Sequence, residues 1–368
     1  MGNSAIVVGA GIAGLTSAIA LRQAGWTVRI IDRASRLDPL GAALSLWPNA
    51  VEGLRRLDVL PALEERAAPI KAMLVADRAG RAILGPQKLD ELAVVVRRAD
   101  LQDALLQRFG SSDVELGREI VKISSITGGA QVEFKNRKEA FADLVIDAAG
   151  IRSIGSNPHD VSYRGYGGIL AVSGKVDSAP LDGLAAEYWG DNERFGLFEL
   201  SESQRYWFYM RTRSANTIMP TKAFVAKQAV GWPEVISDAI HATSEDRFIP
   251  VAIHARPAPK SLGNGCVIRV GDAAHAMEPN LGQGACQGIE DAVALGRLAG
   301  TLPPYDILAA FEKERLKRIR MVVSRAAEGK FGAHGPLLIR TGMRGLLRCL
   351  PRSISTKMSR RIHSFQDP

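Results

Sequence analysis

The sequence is short of cysteine, histidine, aromatic residues and long apolar runs, and each shortage excludes a class of protein. Its three cysteines, Cys266, Cys286 and Cys349, are odd in number and scattered. That fits neither a disulfide framework nor a CxxC metal site, and it predicts a reducing compartment. The six histidines do not cluster with cysteines or carboxylates at ligand spacing, so there is no metal motif and an organic cofactor is expected instead. No apolar stretch approaches the roughly 20 residues that span a bilayer, and no charged segment followed by an apolar run opens the chain; the expectation is a cytoplasmic protein. Internal repeats and low-complexity tracts are missing as well. What remains is an ordinary globular composition of 368 residues, 46% hydrophobic and 23% charged, enough for a large core in two domains or one interleaved α/β unit.

The net charge of +8 is unevenly spread. From Leu337 onward Arg340, Arg344, Arg348, Arg352, Lys357, Arg360 and Arg361 face only Asp367, so the basic excess belongs to the tail. No RNP-like, zinc-finger or aromatic-interleaved basic pattern accompanies it, and nucleic acid is not expected as a partner. Within the tail Leu338, Met343, Leu347, Leu350, Ile354, Met358 and Ile362 alternate with the basic residues in two short amphipathic segments broken at Pro351. The tail is expected to pack its apolar face on the body with its arginines in water, the alternative being contact with an anionic membrane.

The opening run SAIVVGAGIAGLTSAIALRQAGWTVRIID reads as a βαβ unit. Ala5 to Val8 is an apolar strand, Ile12 to Gln23 has helical spacing, Gly25 closes the helix and Thr27 to Ile31 is β-branched. Inside it Gly9, Gly11 and Gly14 form GxGxxG around Ala13, which permits a tight turn, close approach of a pyrophosphate and phosphate contact with a helix N-terminus. Asp32 follows the second strand, roughly 20 residues on, where a carboxylate accepts ribose hydroxyls, and Arg33 stands beside it. This is a dinucleotide site.

The stretch GDAAHAMEPNLGQGACQGIED at 271–291 narrows the choice of dinucleotide. Asp272 ends a strand-like run, placed to accept bonds from a polyhydroxylated ribityl chain. Gly282, Gln283, Gly284 and Ala285 open a helix running to about Gly300, whose free N–H groups and positive dipole end stabilise charge on a reduced flavin ring. Pro279 fixes the turn without offering an N–H. His275 is expected to fix the loop rather than to catalyse, and Cys286 to pack.

GAGIAG and GDAAHAMEPNLGQG together resemble the motifs of FAD-dependent aromatic hydroxylases. Over about residues 4–330, with LGAALSLWPNAVEGLRRLDVL and VVRRADLQDALL in between, the chain is similar to single-component group A flavoprotein monooxygenases of the para-hydroxybenzoate hydroxylase fold. Within that family it most resembles the branch of urate hydroxylases, hydroxybenzoate hydroxylases and zeaxanthin epoxidase. The resemblance implies an α/β fold in which a Rossmann-like FAD-binding domain is interleaved with an antiparallel substrate sheet, followed by C-terminal helices. It implies non-covalent FAD, NADPH or NADH as co-substrate, and O₂ reacting through a flavin C4a-hydroperoxide to hydroxylate a small aromatic or heteroaromatic molecule. By the same resemblance Arg98 binds the flavin side chain, Asp272 the ribityl hydroxyls and Gly284 with Ala285 the ring edge. Pro279 and Gly282 then border the oxygen site, with no acid or base assigned. One family element departs: DLVIDAAGIRS keeps Asp147, Gly150, Arg152 and Ser153 but has Ala149 where an Asp is usual, which bears on nicotinamide use.

FAD-binding pieces are expected at 1–70, 96–160 and 263–330, substrate-domain pieces at 71–95 and 161–262, and a basic helical tail at 331–368. Asn49 with Glu52 reads as a capping box for a helix through Leu57. In QRYWFYMRTR, alternation sets Arg205, Trp207, Tyr209 and Arg211 against Tyr206, Phe208 and Met210, one face roofing the active site. Trp207, Tyr209 and Arg194 are the substrate candidates, Arg194 for an anionic group. A monomer or homodimer is expected. The competing functions are an FAD-dependent reductase or dehydrogenase on the same scaffold and a flavin-binding protein without turnover.

Overall fold

A computed structural model describes residues 2–37, 42–178, 180–217 and 219–366; Leu40 and Gly41 of the LGAALSLWP run and Asp367 of the tail lie outside them. Apolar, β-branched runs punctuated by glycine build the opening unit of β1 (Ser4–Val8), α1 (Ile12–Gln23) and β2 (Thr27–Ile31). There Gly25, at φ 86°, turns the chain after α1. Next come β3 (Ala43–Leu46), α2 (Pro48–Arg56), the long hairpin of β4 (Ala67–Asp77) and β5 (Ala82–Arg97), and α3 (Arg98–Phe109). β6 (Val114–Glu115) leads into the strands β7 (Ile120–Ile126), β8 (Gly129–Phe134) and β9 (Glu139–Ala142), then β10 (Leu144–Asp147). β11 (Ser162–Val172), β12 (Leu184–Trp189), β13 (Glu193–Glu199) and β14 (Arg205–Thr212) precede α4 (Lys222–Gln228), α5 (Glu234–His241) and β15 (Ile249–Ala255). The chain finishes with β16 (Gly263–Asn264), β17 (Val267–Arg269), α6 (Asp272–His275), α7 (Gly284–Ala299), α8 (Pro304–Glu328), α9 (Phe331–His334), α10 (Leu337–Arg348) and α11 (Arg352–His363).

Among the described residues three sheets result. One has the order β16-β17-β10-β1-β2-β6 and is parallel from β17 to β6, with α1 packed on it and α7 packed against α1. The second, in the order β15-β11-β14-β13-β12-β4-β5-β3, is antiparallel apart from the β12–β4 pair. β7, β8 and β9 form the third. The eight-stranded sheet takes in β3 and the start of β4, which lie within the 1–70 piece expected on the FAD side.

Register decides what each sheet face carries, because paired residues share a face. Arg194 pairs with Met210, Gly196 with Phe208 and Phe198 with Tyr206. Phe198, Tyr206 and Phe208 join the main core with the parallel sheet, whereas Phe195, Trp207 and Tyr209 form a second core with α4 and α5.

The tail corrects an expectation. Its two helices flank Pro351 as anticipated, but Arg340 and Arg344 of α10 turn inward, the half-exposed Arg348 also bonds the body, and several leucines turn out. Arg340 donates to Asn192 Oδ1 at 2.8 Å, Arg344 to the carbonyls of Gly332 at 2.9 Å and Gly190 at 2.5 Å, and Arg348 to Asp77 Oδ2 at 3.1 Å. Guanidinium forks satisfy several carbonyl and carboxylate acceptors at once, which an apolar stripe cannot do.

Candidate functional site

The turn after β1 is dictated by contact as much as by flexibility. Gly9 sits at φ 103°, and a Cβ there would lie 2.6 Å from the carbonyl oxygen of Ala148; one on Gly14 would lie 1.9 Å from the oxygen of Gly9. Gly11, the N-cap of α1, has nothing within 4 Å of its missing Cβ, so the space beside the helix start is open. Asp32 braces this turn, accepting from the Ala10 N–H at 2.7 Å through one oxygen and from the Ala34 N–H at 2.8 Å through the other. Ala13 packs where α1 meets Gly271 and Gly288, while the neighbouring Arg33 is exposed.

Across the parallel sheet, Asp272 is the first residue of α6 rather than the end of a strand, reached through Gly271 at φ 56°. Arg98, at the start of α3, is partly buried, and its guanidinium has no hydrogen-bond partner among the described residues. Burial pulls its pKa down, and the Asp272 carboxylate partly restores it, so the two opposite charges face each other. Asp291 holds the Asp272 turn in place. Fully buried on α7, it accepts from the Gly271 N–H at 3.1 Å, from Arg315 Nε at 2.9 Å and contacts His275 Nε2 at 2.6 Å. His275 is thus a loop-fixing group. The signal for Asp291 available in the sequence is an acid beside Glu290 in the middle of a helix rich in small and apolar residues.

The segment between α6 and α7 also differs from expectation. Pro279–Leu281 form a 3₁₀ turn closed by Gly282 at φ 63°, whose N–H donates to the Pro279 carbonyl at 3.1 Å; the helix begins only at Gly284. A Cβ on Gly282 would lie 2.6 Å from Trp47 Nε1 and 2.8 Å from Ser45 Oγ, so this turn rests on β3. Gly284 has nothing within 4 Å of its missing Cβ, and the first N–H groups of α7, including that of Ala285, lack intrahelical acceptors. Cys286 is packed behind them, burial pushing its thiol up to about 12.

Asn49 makes no capping box. It lies buried inside α2, whose N-cap is Trp47, and donates to Gln283 Oε1 at 2.9 Å and Glu290 Oε1 at 2.5 Å. Glu52 instead pairs with Arg55 and Arg56 on the surface. The Asn49 amide thereby ties the β3–α2 corner to the start of α7.

The substrate candidates separate by sheet face. Trp207 donates to Thr243 Oγ1 at 2.9 Å and Tyr209 to Glu193 Oε2 at 2.7 Å, both within the α4–α5 core. They do not roof the site. The opposite face meets the Pro279 turn: Arg194 donates to Asn280 Oδ1 at 2.6 Å and to Glu187 Oε2 at 3.3 Å and lies over the Phe208 ring, with its Nε–H left unpaired. Tyr166 donates to Glu278 Oε2 at 2.9 Å and stacks on His334 at 4.6 Å. Burial, reinforced by Arg194, pushes the His334 pKa down to about 3, so its ring is neutral.

Residues 3–326 match the sequence model of a family described as FAD binding domain. The chain belongs to that family. It is 30% identical over 335 residues to the aurachin C monooxygenase/isomerase of Stigmatella aurantiaca, 86% of either chain being covered. It is also 30% identical over 356 residues to an FAD-dependent urate hydroxylase of Klebsiella pneumoniae, with 90% of each covered. A crystal structure of a variant of Klebsiella pneumoniae HpxO complexed with FAD superimposes with a TM-score of 0.88 at 25% identity, over 98% of both chains. This FAD-binding protein is a flavoprotein monooxygenase with FAD as its cofactor, on the α/β fold with an antiparallel sheet and C-terminal helices that its sequence resembled.

The residues present fit that cofactor. Open space at Gly11 and Gly284, an unpaired guanidinium on Arg98 and the facing Asp272 carboxylate supply room, N–H donors and charge for phosphates and a polyol. Beside this site Cys286 and His275 are both packed and buried, which suits non-covalent binding. Heat or acid denaturation of the yellow protein should therefore release all flavin into the filtrate; colour kept by the precipitate would contradict non-covalent binding. Ala149 is partly buried, its N–H donating to Asp147 Oδ1 at 3.2 Å, and Arg152, three residues on, is exposed.

Proposed function

We propose that the enzyme inserts one atom of O₂ into an electron-rich aromatic or heteroaromatic ring, with NADH or NADPH as the source of electrons. The observation that carries this reading is the sheet face of Arg194, Tyr206 and Phe208 opposite the Pro279 turn. It joins a flat apolar lining to an unpaired buried donor, Arg194 Nε–H. Bound FAD supplies the redox and oxygen chemistry.

The chain's own residues do the rest. The N–H groups of Gly284 and Ala285, at the positive end of the sixteen-residue α7, would hold the edge of a bound flavin and stabilise negative charge there. Pro279 and Gly282, in the turn before it, would wall that edge. Tyr206 and Phe208 exclude water and present an apolar surface for an aromatic ring to lie against. Arg194, held by Asn280 and Glu187, is suited to orient an anionic or carbonyl oxygen of the substrate. The urate and aurachin chemistry named for the relatives is compatible with such a ring-shaped, hydrogen-bonding substrate.

Purified enzyme loaded with FAD should oxidise NADH or NADPH faster in the presence of the right phenolic or heteroaromatic acid, and ¹⁸O₂ should appear in the product. Peroxide measured alongside reports the uncoupled fraction. Product formation that continues unchanged without oxygen would instead establish the reductase reading.

A further inference from the structure

An amphipathic helix that packs on a protein body ordinarily buries its apolar stripe. In α10 the polarity is reversed. Arg340, Arg344 and Arg348 hold Asn192, the carbonyls of Gly190 and Gly332, and Asp77, so rotation of the helix to bury its leucines would break all of these contacts. The outer face carries Leu338, 86% exposed, and Leu346, 67% exposed, on either side of Gly342 at i, i+4 and i+8. Ile339 is exposed at the margin of this stripe.

α11 continues that surface with charge. Ile354, Lys357, Met358 and Arg361 follow one another at i, i+3, i+4 and i+7 and are all exposed. Lys357 and Arg361 have no ion-pair partner among the described residues. The helix is anchored from beneath: Arg318 donates to the carbonyls of Arg361, Ile362 and Ser364, at 3.2, 3.2 and 3.1 Å, and His363 lies 4.5 Å from the Trp47 ring. Exposure of these apolar groups is thus a fixed property of a tethered surface.

We propose that the outer face of α10 and α11 docks the enzyme peripherally on an anionic phospholipid surface. Apolar side chains beside unpaired cations suit the interface of such a membrane, where leucine and methionine enter the acyl boundary and lysine and arginine meet the headgroups. A second copy of the chain fits this face less well. Of the acids beside the tail, Asp90 is engaged by Arg360, Asp191 by Arg340 and Glu91 accepts from Ser364 Oγ, and a twofold contact through this face would set Lys357 and Arg361 against their own kind. Among the described residues no helix is long and apolar enough to cross a membrane, so the contact is interfacial.

The test uses the full-length FAD-loaded enzyme sedimented with phosphatidylcholine vesicles, with and without phosphatidylserine, flavin absorbance tracking the folded protein. Binding to the phosphatidylserine vesicles is expected and should weaken as salt rises. Joint replacement Leu338→Asp and Leu346→Asp should reduce partitioning about ten-fold or more, as should Lys357→Glu with Arg361→Glu, while FAD content is unchanged. Holoenzyme that stays in the supernatant, or that binds neutral vesicles equally well, would overturn the proposal. So would a dimer in solution that Leu338→Asp and Leu346→Asp dissociate, because the face would then belong to a second copy.

Discussion

Replacement of Glu290 by alanine is expected to lower the unfolding free energy by about 3–5 kcal/mol, the range for removing one partner of a buried ion pair. Glu290 is 3% exposed and accepts through Oε1 from Asn49 at 2.5 Å, Gln287 at 3.0 Å and Arg318 at 2.6 Å, and through Oε2 from Arg315 at 2.5 Å and Arg318 at 2.6 Å. Its loss leaves two buried guanidiniums with one carboxylate, Asp291, which reaches Arg315 but not Arg318. Arg318 retains the tail carbonyls, which places the expected loss toward the lower end. Glu290→Gln preserves the shape and should cost less. Urea unfolding followed by circular dichroism checks both; a loss below about 1 kcal/mol for Glu290→Ala would mean that the network relaxes or hydrates. The same network sets an acid limit. Burial raises the Glu290 pKa, but Arg315, Arg318 and Asn49 outweigh it and hold the carboxyl below its ordinary 4.5. Asp291 is likewise held below 3.8, where burial is outweighed by His275 and Arg315. A carboxyl depressed in the folded state contributes stability above its unfolded pKa and loses it as pH falls through the folded value. Stability should therefore fall on acidification below about pH 4.5, less steeply in Glu290→Gln.

Asp272→Ala is expected to weaken FAD binding about ten- to a hundred-fold, the effect of one or two charge-assisted hydrogen bonds. Asp272 is exposed, begins the short helix α6 and faces the Arg98 guanidinium, which no described residue engages by hydrogen bond. Because its side chain makes no hydrogen bond to a described residue, the variant should fold and melt much as the parent does without cofactor. Titration of the apoprotein with FAD, followed by flavin fluorescence, reads the affinity. Unchanged affinity in the folded variant would remove Asp272 from the cofactor site. Arg98→Ala should give a loss of the same order, and the double variant less than the product of the two if both hold one group.

The parts of the site legible in the sequence are those whose geometry is local. Gly9, Gly11 and Gly14 lie within one turn between a strand and a helix, and their spacing alone implies a turn that admits phosphate. The start of α7 was legible to within two residues. Gly282 is ambiguous in the sequence, because a left-handed residue closing a 3₁₀ turn and one opening a helix are both glycines in a Pro–Gly-rich run. Asn49 is ambiguous for a similar reason: Asn followed by Glu three residues later matches a cap, but its amide bonds Gln283 and Glu290, more than 230 residues away.

By itself, then, the sequence determined the βαβ unit, the dinucleotide turn, the helix break at Pro351 and the family resemblance, since each rests on backbone preferences of adjacent residues. Only the tertiary structure decided which way things face. Strand alternation in β14 divides Trp207 and Tyr209 from Tyr206 and Phe208, but a period of two is unchanged when the strand is turned over. The packing of α4 and α5 on one side makes Tyr206 and Phe208 the pair that looks toward the FAD-binding sheet. The tail follows the same logic: the periodicity of α10 marks two faces, but the carbonyls of Gly190 and Gly332 and the side chains of Asp77 and Asn192 draw the arginines inward and leave the leucines outside.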